Sequence, residues 1–451
     1  MCSPIEHRPS KNILGLRWII CSLLFFSVGI NYVDRNAISI LKIPLSHELG
    51  WTLSNYGHVI ASFQLAYAFG YLLGGRFMDV IGVRVGFPLI VLAWSLASAA
   101  HGLCVFIPVD SKIGINLGAW SFTVPGTVLG FIAARVALGL AEGGNFPAAI
   151  KIVAEWFPIK ERALATGLFN AGTNIGAIFC LTSLPYLYKW LSWPTIFYLT
   201  GVLGILWVVA WIILYKPPEH HPWITLQELN YVLSGRSSED PKPTRVSWLS
   251  LLKYRPVWAA IITGCLAGPV WNIYQFFLPD FLKRQFDVSL EQNGWLNGLF
   301  YLIASFGGVW AGWLAGQLMK RNYSLNAARK LTLLTCALAI TPLFLAPVAP
   351  SPLLATIICG IAGSAHQGWS ANTYTFISDT MPRSVVGAIV GLSGFTAYFS
   401  GAIMSEAIPL VVERTGSYFP VFLWGSMMYL VSLGILHILV PHIEPQKLNN
   451  H

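Results

Sequence analysis

The chain has 451 residues, of which 55% are hydrophobic and only 10% are charged. Soluble domains usually carry roughly 25% charged residues, so this composition excludes an ordinary soluble domain and predicts an integral membrane protein. The net charge of +9 does not indicate a nucleic-acid binder, because no basic tract is interleaved with aromatic residues.

Twelve apolar segments are each long enough to cross a bilayer, which takes about 20 residues of helix. An all-α membrane protein is therefore predicted. The expected spans are residues 17–40, 55–78, 84–107, 124–150, 163–186, 194–215, 256–280, 290–318, 331–349, 351–377, 384–411 and 419–441.

The first span contains two adjacent charged residues, Asp34 and Arg35. It is too long for a signal-peptide core and has this pair where a small-residue cleavage site is expected, so it is predicted to stay uncleaved. A charge at bilayer depth costs roughly 2.5 to 3.5 kcal/mol on insertion scales and usually faces a partner or a wet cavity. The pair therefore indicates a functional site. Adjacent helical residues point about 100° apart, so each is expected to have its own partner.

The loop after the second span carries the sequence GRFMDVIGVR. Gly75, Asp79, Gly82 and Arg84 fill the pattern G-x-x-x-D-x-x-G-x-R, and here the chain resembles the major facilitator superfamily. The resemblance implies a fold of twelve transmembrane helices in two pseudo-symmetric halves. It also implies that these four residues form a gate latch rather than a substrate site.

The fourth span contains RVALGLAEGG, in which Arg135, Gly139 and Glu142 match a second signature of that superfamily. Seven residues are about two helical turns, or ~10.5 Å, so Arg135 and Glu142 face the same direction. Together with Asp34 and Arg35 they are expected to form a four-charge cavity. A purely structural ion-pair cluster is the alternative.

Basic residues are distributed unequally between the two sides. With the N-terminus in the cytoplasm, 20 of the 28 Lys and Arg fall in cytoplasmic segments and six, including Lys42, in outer loops. Only Arg35 and Arg135 are embedded. This asymmetry follows the positive-inside rule and places both termini in the cytoplasm.

A polar, proline-rich segment divides the chain into residues 1–215, a linker at 216–255, and residues 256–451. Thr225 followed by Glu228 predicts a capping box and a surface helix in the linker. The two halves repeat an acidic residue, proline and glycine at matching places, as a duplicated transporter does. The repeat predicts one six-helix unit on each side of the linker.

Polar side chains in the second half suit the hydroxyl groups of a sugar. A planar guanidinium in the first half can grip a carboxylate through two parallel hydrogen bonds, whereas hydroxyls call for amide and hydroxyl partners. For His366 a local hydrogen-bonding role is the alternative, for Trp369 it is helix packing, and for Asn272 and Gln275 it is hydrogen bonding between helices. The candidates are Asn272, Gln275, His366, Gln367, Trp369, Asn372 and Tyr398.

A finer resemblance rests on NYVDRNAIS, Tyr67, Arg135, Glu142 and the EWFP loop, which are similar to the anion:cation symporter branch. Residues 366–382 look most like bacterial hexuronate transporters. The resemblance implies that Asp34 and Glu142 are protonatable carboxylates and that Arg35 and Arg135 bind or neutralise a substrate carboxylate. It further implies that Tyr32 and Tyr67 line the cavity, while Thr173 or Asn174 stands where some relatives have glutamine.

The predicted function is therefore proton-coupled import of a monovalent sugar acid, with a hexuronate as the leading substrate. Galactonate, glucarate and similar anions, or exchange of phosphorylated sugars, are the alternatives. The sequence contains no nucleophile or metal-ligand constellation of the kind that an enzyme would need. It also contains no long soluble domain of the kind that a sensor would carry. The seven scattered cysteines, Cys2 included, indicate no metal site, and no cofactor is expected beyond protons, with sodium as the other coupling ion. A monomer in a bacterial inner membrane is expected.

Overall fold

A computed structural model describes residues 15–117, 120–233 and 248–446. The N-terminal tail with Cys2, the middle of the linker and the C-terminal tail lie outside these residues. Within them the chain is almost entirely helical. The α-helices are α1 Leu16–Leu49, α2 Leu53–Ile81, α3 Val83–Leu103, α4 Gly126–Glu142, α5 Asn145–Trp156, α6 Ile159–Tyr188, α7 Trp193–Leu214, α8 Leu226–Leu233, α9 Trp248–Leu251, α10 Arg255–Asn272, α11 Leu278–Phe286, α12 Leu290–Ala304, α13 Gly307–Lys320, α14 Leu325–Ile340, α15 Pro352–Thr380, α16 Arg383–Thr415 and α17 Phe419–Leu439.

Each of the twelve predicted spans corresponds to one helix or to a broken helix. The fourth span is α4 and α5, and the seventh is α10 and α11 joined by a π-helix at Ile273–Phe277. Among the described residues, ten spans are both long and apolar enough to cross a membrane. The other two are α2 and α15, whose 29 residues each also suffice in length. The predicted all-α membrane fold is confirmed.

The spans alternate in direction, which gives the molecule two ends. We call the end where α1 begins and α17 ends the terminal face, and the other the opposite face. At the terminal face Lys330 of α14 donates to the Val440 carbonyl oxygen, 2.8 Å away. At the opposite face the indole of Trp193 donates to Glu48, at 3.0 Å. Termini at one end follow from an even number of crossings.

Helix pairs build the two halves and join them. In the first half α1 packs on α6, α2 on α4 and α3 on α7, and in the second half α10 packs on α16 and α12 on α15. The halves meet through α2 with α16 and α6 with α12. Pro158 and Pro382, the two prolines of the predicted repeat, occupy the N-cap positions of α6 and α16.

The α2–α4 contact depends on glycines. A Cβ atom at Gly143 would lie 2.3 Å from the Tyr71 backbone nitrogen, and one at Gly70 would lie 2.4 Å from the Leu140 carbonyl oxygen. Only glycine permits backbones to approach this closely. The fourth span breaks at Gly143 and Gly144. This break follows directly after Glu142.

The linker helix α8 begins where predicted but its cap is different. Thr225 accepts a hydrogen bond from the Glu228 backbone N–H at 3.1 Å. The Glu228 carboxylate does not close the predicted capping box and instead accepts from the backbone N–H groups of Leu16 and Arg17, at 3.2 and 3.1 Å. Since these are unpaired first-turn donors of α1, the linker caps the first transmembrane helix.

Two further features were not predicted. An antiparallel hairpin of β1 (Lys112–Leu117) and β2 (Trp120–Pro125) precedes α4. Lys42 was placed in an outer loop, but α1 continues to Leu49 and buries it, where it pairs with Asp280 of α11. That assignment was wrong, because the helix runs past the end of the strongly apolar stretch. Lys42 is therefore a third embedded cation.

Candidate functional site

Two of the four charges predicted to share a cavity form a direct pair. Arg35 donates to Glu142 through Nε at 3.3 Å and through Nη2 at 3.1 Å, and Nη2 also donates to Asn31 at 3.1 Å. Both charged side chains are buried, with at most 2% exposure. A buried charge of this kind is tolerated because it is paired and hydrogen-bonded. Arg35 of α1 is thus tied to Glu142 of α4.

Aromatic rings surround the Arg35 guanidinium. Its carbon lies 4.4 Å from the ring centre of Tyr67, 4.8 Å from Tyr32 and 5.3 Å from Phe63. Such distances allow cation–π attraction, which is stronger away from water. Tyr398 of the second half lies 4.3 Å from Tyr67, centre to centre. The predicted cavity residues Tyr32, Tyr67 and Tyr398 are therefore close to the charges.

Arg135 is the exception in this cluster. It is completely buried, yet none of its three guanidinium nitrogens has a hydrogen-bond partner among the described residues. Its guanidinium carbon lies 5.5 Å from the Phe63 ring centre. An unpaired buried cation is costly. Arg135 therefore presents a row of donors suited to an anion.

Asp34 points away from Arg35, as expected for adjacent helical residues. Its Oδ1 accepts a hydrogen bond from the Ser98 hydroxyl of α3 at 2.6 Å. Its other oxygen, Oδ2, has no partner among the described residues. Asp34 interacts electrostatically with Arg135 and Glu142 but forms no ion pair with them among the described contacts. It lies in the packing between α1, α3 and α7.

Second-half amides reach the same region from the π-helix and its flank. Gln64 of α2 donates to the Asn272 side-chain oxygen at 2.5 Å, so the halves are hydrogen-bonded here. Asn272 Nδ2, Gln275 Nε2 and the Tyr274 hydroxyl are buried without a partner in the described part of the chain. A π-helix often marks a functional site. These groups can serve substrate hydroxyls.

The other predicted binding residues of the tenth span differ in whether their polar groups already have partners. Trp369 is buried with its indole N–H unpaired within the described ranges, and it packs edge-on against Tyr429 at 5.2 Å. His366 bonds to the Tyr429 hydroxyl and stacks on Trp271 at 4.9 Å, as its local alternative describes. Asn372 donates to a carbonyl of its own helix. Gln367 is half-buried, and no described hydrogen bond joins it to the charges.

The span-five candidates lie in α6. Thr173 is buried and donates to the Asn170 carbonyl oxygen of its own helix at 2.8 Å. Asn174 is half-buried, and its side-chain oxygen has no partner in the described part of the chain. No described contact brings either residue to the four charges.

The predicted gate residues lie at the terminal face. Asp79 accepts from Lys151 of α5 at 2.9 Å, and the Arg84 carbonyl oxygen accepts from the Trp211 indole at 3.2 Å. Gly82 ends α2 with a positive φ of 79°, which glycine adopts without strain. Gly75 lies against Pro147. The described contacts of this loop stay within the first half.

Several residues of the site were not predicted from the sequence. Asn31 lies one helical turn before Arg35, and this i,i+4 spacing was a usable signal. Gln64 was detectable as an amide within an apolar span. Ser98 gave no signal, because single hydroxyls are common in transmembrane helices. Lys42 was hidden by its position beyond the apolar stretch.

The arrangement favours anion binding over metal binding. No group of three or more His, Cys, Asp or Glu side chains that could hold a metal occurs among the described residues. A cavity of about 600 Å³ lies between α2, α4 and α16, but its lining is mainly apolar and includes none of the four charges. The unpaired groups at the centre are mostly hydrogen-bond donors. The chemistry therefore lies in the buried cluster.

Comparison with known families agrees with the helical architecture. A model of the Major Facilitator Superfamily matches residues 24–405. The chain belongs to this superfamily. It is accordingly a multi-pass membrane transporter and not an enzyme.

Several similar proteins are named as transporters of sugar acids. The hexuronate transporter of Escherichia coli K12 is 27% identical over 416 residues, which cover 91% of each chain. The galacturonate transporter of Dickeya chrysanthemi is 27% identical over 78% of this chain and 96% of its own length. The D-galactonate transporter of an E. coli O6:H1 strain is 25% identical over 88% of both. The chain is thus related to sugar-acid transporters.

Solved structures share the fold. A D-xylose-proton symporter superposes with a TM-score of 0.69 at 15% identity, covering 93% of this chain and 97% of the symporter. A bacterial homologue of the lysosomal transporter Spinster in an inward-facing conformation gives 0.66 at 17% identity, over 95% and 96%. These similarities establish the fold alone.

Proposed function

We propose that this transporter is a proton-coupled symporter that imports a monovalent sugar acid, with a hexuronate such as glucuronate or galacturonate as the leading substrate. The observation that carries the proposal is the buried Arg135, whose guanidinium donors have no partner among the described residues, next to a Glu142 that binds Arg35 through one of its two oxygens. A carboxylate is the ligand that a planar guanidinium holds best. The similarity to hexuronate, galacturonate and galactonate transporters supports the same substrate class.

Amides and an indole from the second half supply the complementary chemistry for a sugar. Asn272, Gln275 and Trp369 each have an unpaired buried N–H group among the described residues. Sugar hydroxyls accept such hydrogen bonds, and an indole can pack against a sugar face. A carboxylate at Arg135 and hydroxyls at the second half would join the two halves across one substrate.

Coupling follows from competition for the buried charges. Burial favours the protonated form of a carboxylate, whereas a nearby guanidinium favours the ionised form. A substrate carboxylate that approaches Arg135 or draws Arg35 from Glu142 reduces the positive charge available to Glu142 and Asp34. Those carboxylates then bind protons more readily. Anion and proton are therefore carried together, and sodium is the alternative coupling ion.

The working arrangement is a monomer with two rocking units, residues 1–215 and 256–451, linked by 216–255. We place it in a bacterial cytoplasmic membrane with the terminal face in the cytoplasm, following the distribution of Lys and Arg. In this orientation Gly75, Asp79, Gly82 and Arg84 serve a cytoplasmic gate. Another sugar acid, galactonate or glucarate for example, is the closest alternative substrate. Exchange of phosphorylated sugars is less well supported, because the second-half residues described at the centre offer amides and aromatics rather than arginine.

A thermal-shift screen tests the substrate class. The purified protein is heated with hexuronates, aldonates, aldarates or phosphorylated sugars, because a ligand that binds only the native state raises its apparent stability. We expect the largest shift with a hexuronate. A larger shift with a phosphorylated sugar, and none with any sugar acid, would contradict the proposal.

The anion-binding role of Arg135 has its own test. Arg135→Lys keeps the charge but loses the planar fork, so affinity for the acid should fall at least about tenfold, or ~1.4 kcal/mol. Calorimetric titration of the purified protein measures the affinity. The control is Lys151→Arg, which changes a cation at the terminal face. Unchanged affinity in Arg135→Lys would reject the role.

A further inference from the structure

A short chain of hydroxyl groups connects Asp34 to two other helices of the first half. Asp34 Oδ1 lies 2.6 Å from Ser98 Oγ of α3, and Ser98 Oγ lies 2.9 Å from Thr200 Oγ1 of α7. Thr200 Oγ1 also lies 3.1 Å from the Phe197 carbonyl oxygen. All three side chains are buried, with exposures of 2% or less. Four oxygens thus stand in a row inside the helix packing.

We propose that Ser98 and Thr200 form a reversible hydroxyl relay that positions Asp34 and satisfies it in both its ionised and its protonated states. The proposal rests on the proposed function, in which Asp34 is one of the proton-coupling carboxylates. It names two positioning residues of the coupling site. A hydroxyl can act as donor and acceptor at once, which makes such a relay chemically feasible.

In the ionised state the relay is oriented toward Asp34. Thr200 donates to Ser98, and Ser98 donates to the Asp34 carboxylate. The 2.6 Å distance between Ser98 and Asp34 is in the range of hydrogen bonds to an ionised acceptor. In this orientation Thr200 no longer donates to the Phe197 carbonyl oxygen, which remains part of helix α7.

In the protonated state the two bonds between side chains reverse, and a third bond forms to the Phe197 carbonyl oxygen. Asp34 donates from Oδ1 to Ser98, Ser98 donates to Thr200, and Thr200 donates to the Phe197 carbonyl oxygen. A proton on Oδ2 would have no acceptor among the described residues, so Oδ1 is the better place for it. The relay therefore offers the neutral acid a complete row of hydrogen bonds, and neither protonation state leaves Asp34 Oδ1 unpaired.

Other charged and titratable groups contribute to the electrostatic environment of Asp34. Arg135 and Glu142 of α4 interact with Asp34 electrostatically, as does Cys180 of α6. On α1 the neighbouring Arg35 is committed to Glu142. On α3 His101 bonds through Nδ1 to the Ala97 carbonyl oxygen of its own helix. Within the described contacts, the hydroxyl of Ser98 gives Asp34 a direct hydrogen bond at 2.6 Å, and Thr200 also interacts with the Asp34 carboxylate.

Two substitutions test the relay because they act in opposite directions. Ser98→Ala removes a bond that stabilises the ionised form more than the neutral form, so the pH midpoint of proton-driven uptake should move toward alkaline pH by about one unit. Thr200→Val leaves the Ser98–Asp34 bond but removes the acceptor that Ser98 needs when Asp34 is protonated. Its midpoint should move toward acid pH, by about half a unit.

The readouts are proton-driven accumulation of glucuronate or galacturonate in proteoliposomes across pH 5 to 9, and counterflow exchange, which moves no net proton. Counterflow should stay within about twofold of the unsubstituted protein. The control is Ser95→Ala, because Ser95 is a buried hydroxyl of the same helix that bonds only to its own Val91 carbonyl oxygen among the described contacts. Thr200→Ser should restore the original midpoint.

The outcomes separate the relay from the proposed function. If the unsubstituted protein accumulates substrate without a proton gradient, the proposed function fails. If it depends on protons and Thr200→Val matches Ser95→Ala or shifts toward alkaline pH, the relay alone is overturned. Thr200→Val retains the shape of the side chain and is expected to fold. It therefore tests the relay even if Ser98→Ala does not fold. Opposite shifts in the two variants, with rescue by Thr200→Ser, support the relay.

Discussion

The two arginines of the central cluster have the same chemistry but different surroundings. Arg35 is held by Glu142 and Asn31, whereas Arg135 has no hydrogen-bond partner among the described residues. Removing one member of a buried ion pair destabilises the fold, because it leaves the other charge buried and unpaired. A buried charge without a partner already lowers the stability of the fold. The difference indicates a structural and coupling role for Arg35 and a ligand-binding role for Arg135.

Stability measurements can distinguish these roles without any substrate. Arg35→Met leaves the Glu142 carboxylate buried and alone, so the free energy of unfolding should fall by about 3–5 kcal/mol. Arg135→Met removes an unpaired cation and should leave stability unchanged or raise it. Thermal unfolding of the ligand-free protein in detergent provides the comparison. Equal losses in the two variants would mean that Arg135 has a partner as important as Glu142.

Residue identity was easier to predict than residue pairing. The sequence singled out Asp34, Arg35, Arg135 and Glu142 because charge is costly in an apolar span, but it did not predict which of them pair. The structure pairs Arg35 with Glu142. Pairing depends on the rotation of each helix about its axis, and hydropathy alone does not fix that rotation. The same limit hid the contact between Asp34 and Ser98.

At the level of elements, close helix crossings hold the site together. The α2–α4 crossing carries Phe63 and Tyr67 on one helix and Arg135 and Glu142 on the other, and its glycines bring the two backbones into contact. Any side chain there separates the helices. The geometry of the charge cluster therefore depends on small residues that contact no substrate.

A matched pair of glycine substitutions tests this dependence. In Gly143→Ala the new Cβ would meet backbone atoms at 2.3 and 2.4 Å, so the helices must part, at a cost of about 1–3 kcal/mol. Gly312→Ala in α13 has nothing within 4 Å and should be neutral or stabilising by up to about 1 kcal/mol. Thermal unfolding and substrate affinity are the measurements. The same result for both variants would show that the crossing tolerates separation.

Some elements could not be derived from hydropathy. The break at Gly143 and Gly144 and the π-helix at Ile273–Phe277 lie inside continuous apolar runs. The hairpin of β1 and β2 lies between two spans that the helix pattern had already located. In each case tertiary contacts decide the local backbone. Span number and order, by contrast, follow from apolar length alone.

On the scale of the whole molecule, ion pairs close the opposite face. Lys42 of the first half pairs with Asp280 of the second, His58 pairs with Glu406 at 2.7 Å, and Lys189 pairs with Glu291 at 2.8 Å. Among the described residues, the ion pairs that join the halves all lie at this face. The hydrogen bond to Glu291 and the charge of that carboxylate raise the pKa of Lys189, so this loop lysine stays charged. The conformation is therefore closed toward the opposite face.

Breaking the buried pair should open that face. Lys42→Met leaves Asp280 with Arg284 and Tyr418 but removes its link to the first half. We expect a longer distance between spin labels at the exposed positions His47 and Arg414, measured by double electron–electron resonance. Lys283→Met is the control, because Lys283 pairs with Asp287 within the same half. An unchanged distance distribution in Lys42→Met would show that the other contacts suffice.

Proton-coupled entry of a sugar acid is tested most directly by following protons and substrate together. Purified protein is reconstituted into vesicles that contain a pH-sensitive dye, and glucuronate or galacturonate is added outside with no initial pH difference. Substrate entry should acidify the lumen, and Glu142→Gln should abolish both this acidification and proton-driven accumulation while leaving counterflow exchange. Entry of the hexuronate without acidification, or acidification equal in Glu142→Gln, would contradict proton symport through this site.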